Sequence, residues 1–285
     1  VRILSVLLVC GLLPLCAQES LAFQEIPDAP RNQWAVTLGA RLMSYSATPG
    51  SERNRTSLMP VFSAQYNQFY LGSSRVGVGF GGGLQLWRNP EFSWDLGLGV
   101  GDRRPESRAP ELAGMGDRNL SFWVGTGLGW RRGLWHARAT LAHGLADQAG
   151  SKATVALSRV FPLAPQWFAT AGLHASWADA QNMAFDFGIS PDQANRRTAL
   201  LAGGDTRLSA SELGPYAPGA GPRDLGGILA LIYRPQPRLS ISLGLFGGQF
   251  LGQAKDSPLV RRDSYLSAGL GFSYRLRNAR PTPQD

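Results

Sequence analysis

Along most of the chain, apolar residues alternate one by one with small or polar ones, a two-residue period rather than a helical one. The clearest case is Ser264 to Leu276. There Leu266, Ala268, Leu270, Phe272, Tyr274 and Leu276 fall on one side, and Tyr265, Ser267, Gly269, Gly271, Ser273 and Arg275 on the other. Successive side chains of a strand point to opposite faces, so this stretch predicts a strand with one greasy face. In Gln33 to Tyr45, Trp34, Val36, Leu38, Ala40 and Leu42 likewise oppose Thr37, Arg41 and Met43. A glycine-rich segment sets Val78, Phe80, Gly82, Leu84 and Leu86 against Gly77, Gly79, Gly81, Gly83 and Gln85. Further strands are predicted at Leu58–Tyr66, Phe69–Ser74, Phe92–Gly101, Leu120–Trp130, Leu134–Ala142, Lys152–Phe161, Gln166–Trp177, Leu225–Tyr233 and Arg238–Phe250. The total is about twelve, or ten without the short hairpin around Asn67.

The connections come in two kinds. Arg88-Asn89-Pro90-Glu91, Arg131-Arg132-Gly133, Pro162 to Pro165 and Arg234-Pro235-Gln236-Pro237 are tight. Ser46–Ser57, Asp102–Arg118, Gly144–Ser151, Ala178–Asp224 and Leu251–Asp263 are longer, and Ala178–Asp224 reads as the longest irregular region. Short periplasmic turns and longer outer loops mark an outer-membrane barrel, and an even strand number leaves both ends in the periplasm. The expected fold class is therefore all-β, a transmembrane antiparallel β-barrel over residues 23–276. No stretch after residue 22 is long enough for a membrane helix, which a barrel does not need. Trp34, Trp87, Trp94, Trp130, Trp135, Trp167 and Trp177 stand near strand ends, where interfacial girdles form. In the last strand, Ser267, Gly269, Phe272 and Tyr274 give polar-x-Gly-x-x-aromatic-x-aromatic. That resembles the closing signal of bacterial outer-membrane barrel proteins.

Residues 1–22 read as a cleaved signal peptide. Arg2 precedes an apolar run from Ile3 to Leu15, and Ser20 and Ala22 supply small residues for cleavage before Phe23. A lipoprotein cleavage ahead of Cys16 is disfavoured by the bulky Leu15. Cys10 and Cys16 both fall in this leader, so the expected mature chain has no disulfide, and closure of the barrel must stabilise it. Residues 277–285 form a polar tail. The formal charge is +8, from 28 Lys and Arg against 20 Asp and Glu. Without a dense basic tract or a finger or helix-turn-helix pattern, nucleic acid is excluded as a partner. The arginines instead suit a lumen and rims that meet phosphates of outer-membrane lipid and lipopolysaccharide.

Candidate chemistry is thin. Gly77, Gly79 and Gly82 match Gly-x-Gly-x-x-Gly, but that fingerprint requires a following helix and here a strand continues. Small residues on a narrow lumen explain them better. His136, His143 and His174 are the only histidines. A barrel hydrolase could pair His136 or His174 with Ser158 or Ser176, yet no local signature supports this. The three dispersed histidines give no zinc spacing. Asp95, Arg41, Arg138 and Glu91 are candidates for inward polar contacts. Glu106, Glu111, Asp117, Asp192 and Asp256 lack the density of a calcium loop. No catalytic, cofactor-binding or metal residue is assigned, and the protein is expected not to be an enzyme.

The run Asp102 to Asp117, with Arg103, Leu112, Gly114, Met115 and Asp117, resembles the MipA/OmpV family, named for MltA-interacting protein. So do Phe187-Gly188-Ile189-Ser190-Pro191-Asp192-Gln193-Ala194, Lys255-Asp256-Ser257-Pro258-Leu259-Val260 and the closing Gly271-Phe272-Ser273-Tyr274. Together they span about Trp34 to Leu276. Two departures stand out: Asn195-Arg196-Arg197 replaces an expected Ser-Gly, and Leu276 is followed by the tail where family members end on an aromatic residue. The resemblance implies an outer-membrane barrel that scaffolds a murein-cleaving lytic transglycosylase and a murein synthase. Other members resemble osmotic-response, adhesion or antigenic proteins. A small-solute channel or surface receptor or adhesin is the alternative reading.

Overall fold

Lipid offers a backbone no hydrogen-bond partner, so alternating segments in a membrane must pair edge to edge until no edge remains. The computed structural model describes residues 32–73, 75–77, 79–145 and 149–276, and shows this outcome. The expected leader with both cysteines, and the 277–285 tail, lie outside the described residues. The strands are β1 (Trp34–Ser46), β2 (Asn54–Tyr66), β3 (Phe69–Ser73), β4 (Phe80–Arg88), β5 (Phe92–Val100) and β6 (Phe122–Arg132). They continue with β7 (Trp135–Gly144), β8 (Ser151–Ala164), β9 (Trp167–Ala178), β10 (Gly221–Gln236), β11 (Leu239–Phe250) and β12 (Ser264–Arg275). Each pairs antiparallel with its sequence neighbours. The ring closes through β1 and β12, with Cα partners running from Thr37–Arg275 to Ser44–Ala268.

Closure turns the alternation into an outside and an inside. Leu38, Leu42, Leu98, Leu141, Leu173, Leu229, Leu243 and Leu270 are exposed on the outer wall, the belt that meets lipid. At the short-turn end lies an aromatic girdle. Trp34 packs on Tyr66 with ring centres 5.0 Å apart, and Trp167 stacks on Tyr233 at 4.5 Å. Trp87, Trp94 and Trp135 are exposed at the same end. Trp177 is exposed at the other end, and Trp123 points inward and is buried.

The weak hairpin is present, with Asn67 making its turn at φ 50°, so the count is twelve. The strands reach further than the alternation indicates: β2 begins at Asn54 and β10 at Gly221. Pro162 lies inside β8 at a register shift against β9, where a missing N–H is tolerated. One predicted strand start fails. β4 begins only at Phe80, because Arg75, Val76 and Gly77 fold into the lumen. There Val76 is buried against Trp123, Ala142 and Ala149. Gly77, at φ +77°, leaves no room for a side chain beside Thr140.

The second correction concerns Ala178–Asp224. It is not irregular but carries helices α1 (Ala180–Phe187) and α2 (Pro191–Ala202). Asp179 caps α1 by accepting from the Asn182 N–H, and Ser190 and Gln193 form a reciprocal capping box on α2. The long loops pack into a cap with a core of its own, in which Leu112, Met115, Ile189, Ala194 and Leu259 are buried together. These residues come from the three family-like runs, so widely separated motifs build one small domain over the barrel. Arg197, fully buried, donates to the carbonyls of Glu212 (2.9 Å), Glu111 (2.8 Å) and Ala113 (3.0 Å). The arginine in place of the expected Ser-Gly is thus the pin of the cap.

Candidate functional site

The lumen holds a cavity of about 940 Å³. Its wall reaches the turns at Arg88–Glu91, Arg131–Leu134 and Pro237–Arg238; at the long-loop end it takes in Thr48, Pro49 and Gly50 of the β1–β2 loop but no residue of loops 101–121, 179–220 or 251–263. It is therefore a basin open toward the short-turn end and roofed at the other.

Helix α1 forms the roof. Its Phe185 meets Trp123 of β6 edge-on at 6.4 Å, and its Asn182 donates to the carbonyl of Ala149 at 2.7 Å. Across the mouth, Phe187 meets Phe250 of β11 at 5.6 Å and accepts at its carbonyl from Ser257 at 2.6 Å. Its Asp186 pairs with Arg223 of β10 (3.1 Å) and with Arg118 (3.5 Å). In a ring of twelve, β6 and β12 are half a circumference apart. Tyr265 of β12 belongs to the same cluster as Phe187, so the helix spans the opening like a stopper.

Burial alone would raise the Asp186 carboxyl, but the guanidinium groups of Arg223 and Arg118 outweigh it and hold the group below its ordinary range. Glu212 behaves alike, with burial opposed by hydrogen bonds from Arg261 and from the Ser209 backbone. A carboxyl lowered in the folded state adds stability above its unfolded value, about 4, and loses it as pH falls through the lower folded value. The cap is therefore expected to loosen below about pH 4 before the barrel does. Hydrogen exchange of α1 and α2 against the strands, at neutral and acid pH, checks this. Equal protection of cap amides at both would contradict it.

Inside the wall, Asp95 of β5 is completely buried between two cations. Arg138 of β7 reaches it at 2.8 Å and Arg75 of the inward segment at 3.5 Å. Arg138 also donates to the Arg75 carbonyl at 2.8 Å. Arg75 also donates to Gln65 (2.9 Å) and lies over the Tyr70 ring at 4.9 Å. The sequence points to Asp95 and Arg138 but not to Arg75, which falls between the predicted strand Phe69–Ser74 and the alternation that starts at Gly77. Arg41 and Glu91 line the cavity apart from this cluster.

His174 is not arranged as the base of a nucleophilic triad. His174 Nε2 lies 3.1 Å from both Asp224 Oδ1 and Tyr265 OH, and its ring stacks on Phe246 at 4.8 Å. Ser176 Oγ donates to Asp224 Oδ2 at 2.6 Å. In a triad the hydroxyl faces the imidazole; here it faces the carboxylate. His136 and Ser158 are opposite each other in the β7–β8 register, and His143 lies 2.9 Å from Ser151 at the long-loop end. The glycine fingerprint has no phosphate-binding helix, since Gly82 sits in β4 and Gly77 in the inward segment.

The loop acids serve the cap. Glu106 accepts from the Gly114 and Gly116 N–H groups at 2.9 and 2.8 Å. Asp117 accepts from the Glu106 N–H at 2.7 Å, and Glu111 from Thr48 at 2.9 Å. Asp192 lies in the first turn of α2, and Asp256 follows the one-turn helix Gly252–Lys255. Among the described residues, no group of three or more His, Cys, Asp or Glu is placed to hold a metal ion.

A family model described as MltA-interacting protein MipA matches residues 38–276, which take in the ring from β1 to β12 and the whole cap. The chain belongs to the MipA family. No curated protein matches it. Among solved structures, the NanC porin is similar at 8% identity and TM-score 0.41, over 84% of this chain and 100% of that one. An outer membrane channel from Pseudomonas putida F1 is similar at 10% identity and TM-score 0.44, over 89% and 98%. The DcaP channel of Acinetobacter baumannii is similar at 9% identity and TM-score 0.37, over 86% and 96%. These likenesses are too distant to inform function. MipA membership, the closed ring and the apolar outer belt make the protein a multi-pass outer-membrane barrel.

Proposed function

We propose that this MipA-family barrel works by binding and not by catalysis, holding a murein-cleaving lytic transglycosylase and a murein synthase at the inner face of the outer membrane. The observation that carries this reading is the difference between the two ends of the ring. The outer end is stoppered by α1, whereas the inner end is a rigid rim of short turns whose flanking strand ends bear Arg88, Arg131, Arg132 and Arg234. Turns fixed by strands on both sides are preorganised, which lowers the entropic cost of docking. Their guanidinium groups suit the acidic surface of a periplasmic partner, by steering and by bidentate pairing. The family's description as MltA-interacting points the same way.

The test is capture of the lytic transglycosylase and of the synthase by purified barrel in detergent. Replacing Arg88–Glu91, Arg131–Gly133 and Arg234–Pro237 together with neutral turns is expected to abolish capture and leave the barrel folded. Undiminished capture by the triple replacement rejects the rim as the docking surface.

A further inference from the structure

The cavity is strongly one-sided in charge. Among the described residues, ten lysine or arginine side chains line it against three carboxylates, those of Glu91, Asp95 and Asp224. Much of the chain's positive excess is thus turned inward. Asp95 is committed to Arg75 and Arg138, and Asp224 to His174 and Ser176. The imbalance is greatest on the continuous wall β10–β11–β12–β1 near the open mouth. Strands β1, β11 and β12 contain no Asp or Glu at all. Along this wall Arg41, Arg234, Arg238 and Arg275 line the cavity, with the hydroxyls of Thr37, Ser240 and Ser273 set among them.

The register holds these groups close together. Arg275 is the Cα partner of Thr37, Ser273 is the partner of Ser240, and the Arg275 N–H donates to the Arg238 carbonyl at 2.8 Å. All but Arg238 sit on strands rather than on loops, so the donors are fixed before any ligand arrives. Guanidinium forks and hydroxyl donors match carboxylate or phosphate oxygens bidentately. A recess walled by protein also focuses the field of its charges more than a flat surface does.

We infer that the wall formed by Arg41, Arg234, Arg238 and Arg275 is a binding site for a soluble multivalent anion, carboxylate or phosphate, entering from the periplasmic side. The site goes beyond the scaffold reading and does not depend on it. A ligand held there ends at the rim, so its occupancy adds negative charge beside the turns.

The test is titration calorimetry on the purified full-length barrel in zwitterionic detergent. Tricarballylate supplies carboxylates, triphosphate supplies phosphates, and maltotriose and spermidine serve as neutral and cationic controls. At least one anion is expected to bind and both controls to stay silent, with affinity falling between roughly 0.05 and 0.5 M salt. Whichever anion binds more tightly names the ligand chemistry. Arg238→Gln/Arg275→Gln is expected to weaken binding by about tenfold or more. Arg41→Gln, further up the same wall, is expected to weaken it as well, whereas Arg159→Gln on the outer wall leaves it unchanged. Arg41, Arg238 and Arg275 all lie outside the three turns replaced in the docking test, which share only Arg234 with this wall, so loss of anion binding with partner capture intact is separable from failure of the scaffold. Absence of heat with both anions overturns the inference. So does binding that neither the Arg238/Arg275 pair nor Arg41 affects in a barrel that still migrates as folded.

Discussion

Replacing residues 179–220 with a two-residue turn is expected to convert a silent barrel into a conducting one. Ala178 and Gly221 are already Cα partners at the ends of β9 and β10, so a tight turn can join them without moving either strand. The ring is closed by β1 and β12 and needs nothing from this loop, so heat-modifiable migration in detergent should persist. What the deletion removes is the bridge from Trp123 across to Phe250 and Tyr265. In planar bilayers the intact chain should give no steady current and the deletion variant discrete steps. With ten cations against three carboxylates in the basin, those steps should favour anions. Phe187→Ala combined with Asp186→Asn weakens the stopper and leaves the chain length unchanged, and should give intermittent openings. A folded deletion variant that stays silent would move the seal to Arg75–Gly77.

The barrel was legible because its physics is periodic. Each strand alternates along its own length, so Leu266 to Leu276 or Trp34 to Leu42 declare a lipid-facing row without knowledge of any neighbour. Strand pairing then follows from chain order, since each strand lies beside the next. The cap was not legible from period. Its helices are short, and α2 shows only a narrow apolar stripe in which Ala194 is buried. Ala194 of α2 packs with Leu112, Met115 and Leu259, and Met183 and Phe187 of α1 with Phe250 and Ala254, all far away in sequence. A signal was nonetheless present: Ser190, Pro191 and Gln193 spell a capping box with proline at the first turn. Arg75 escaped for another reason. It lies just before the glycine alternation that starts at Gly77, and only the packing of Val76 against Trp123 and of Gly77 against Thr140 turns the segment inward. The arginine wall lies in plain view residue by residue, but the lack of carboxylates on β11, β12 and β1 has meaning only once β12 is known to lie between β11 and β1.

Asp95→Ala should be among the most destabilising single substitutions in the wall. The carboxylate has no solvent exposure, and removing it leaves two guanidinium groups facing each other in a protein interior. Breaking a buried pair from one side costs about 3–5 kcal/mol, since the remaining charge keeps its desolvation penalty without a partner. The Arg138 side chain is 30% exposed and that of Arg75 11%, so water offsets part of the loss and about 3 kcal/mol is expected. Asp95→Asn keeps an acceptor for Arg138 and should cost less. Arg75→Ala should cost less again, because Arg138 then retains the carboxylate. Denaturant unfolding in lipid vesicles, followed by tryptophan fluorescence, measures all three, and the Asp95–Arg75 double variant gives the coupling. A change within about 0.5 kcal/mol for Asp95→Ala would mean that water already solvates the cluster. The inward segment should respond as well. Arg75 is tied to the wall through Asp95, Gln65, Arg138 and the Tyr70 ring, so loss of the carboxylate releases one of these anchors. Increased hydrogen exchange at Val76 and Gly77, with β6 and β7 still protected, is the local signature of that release.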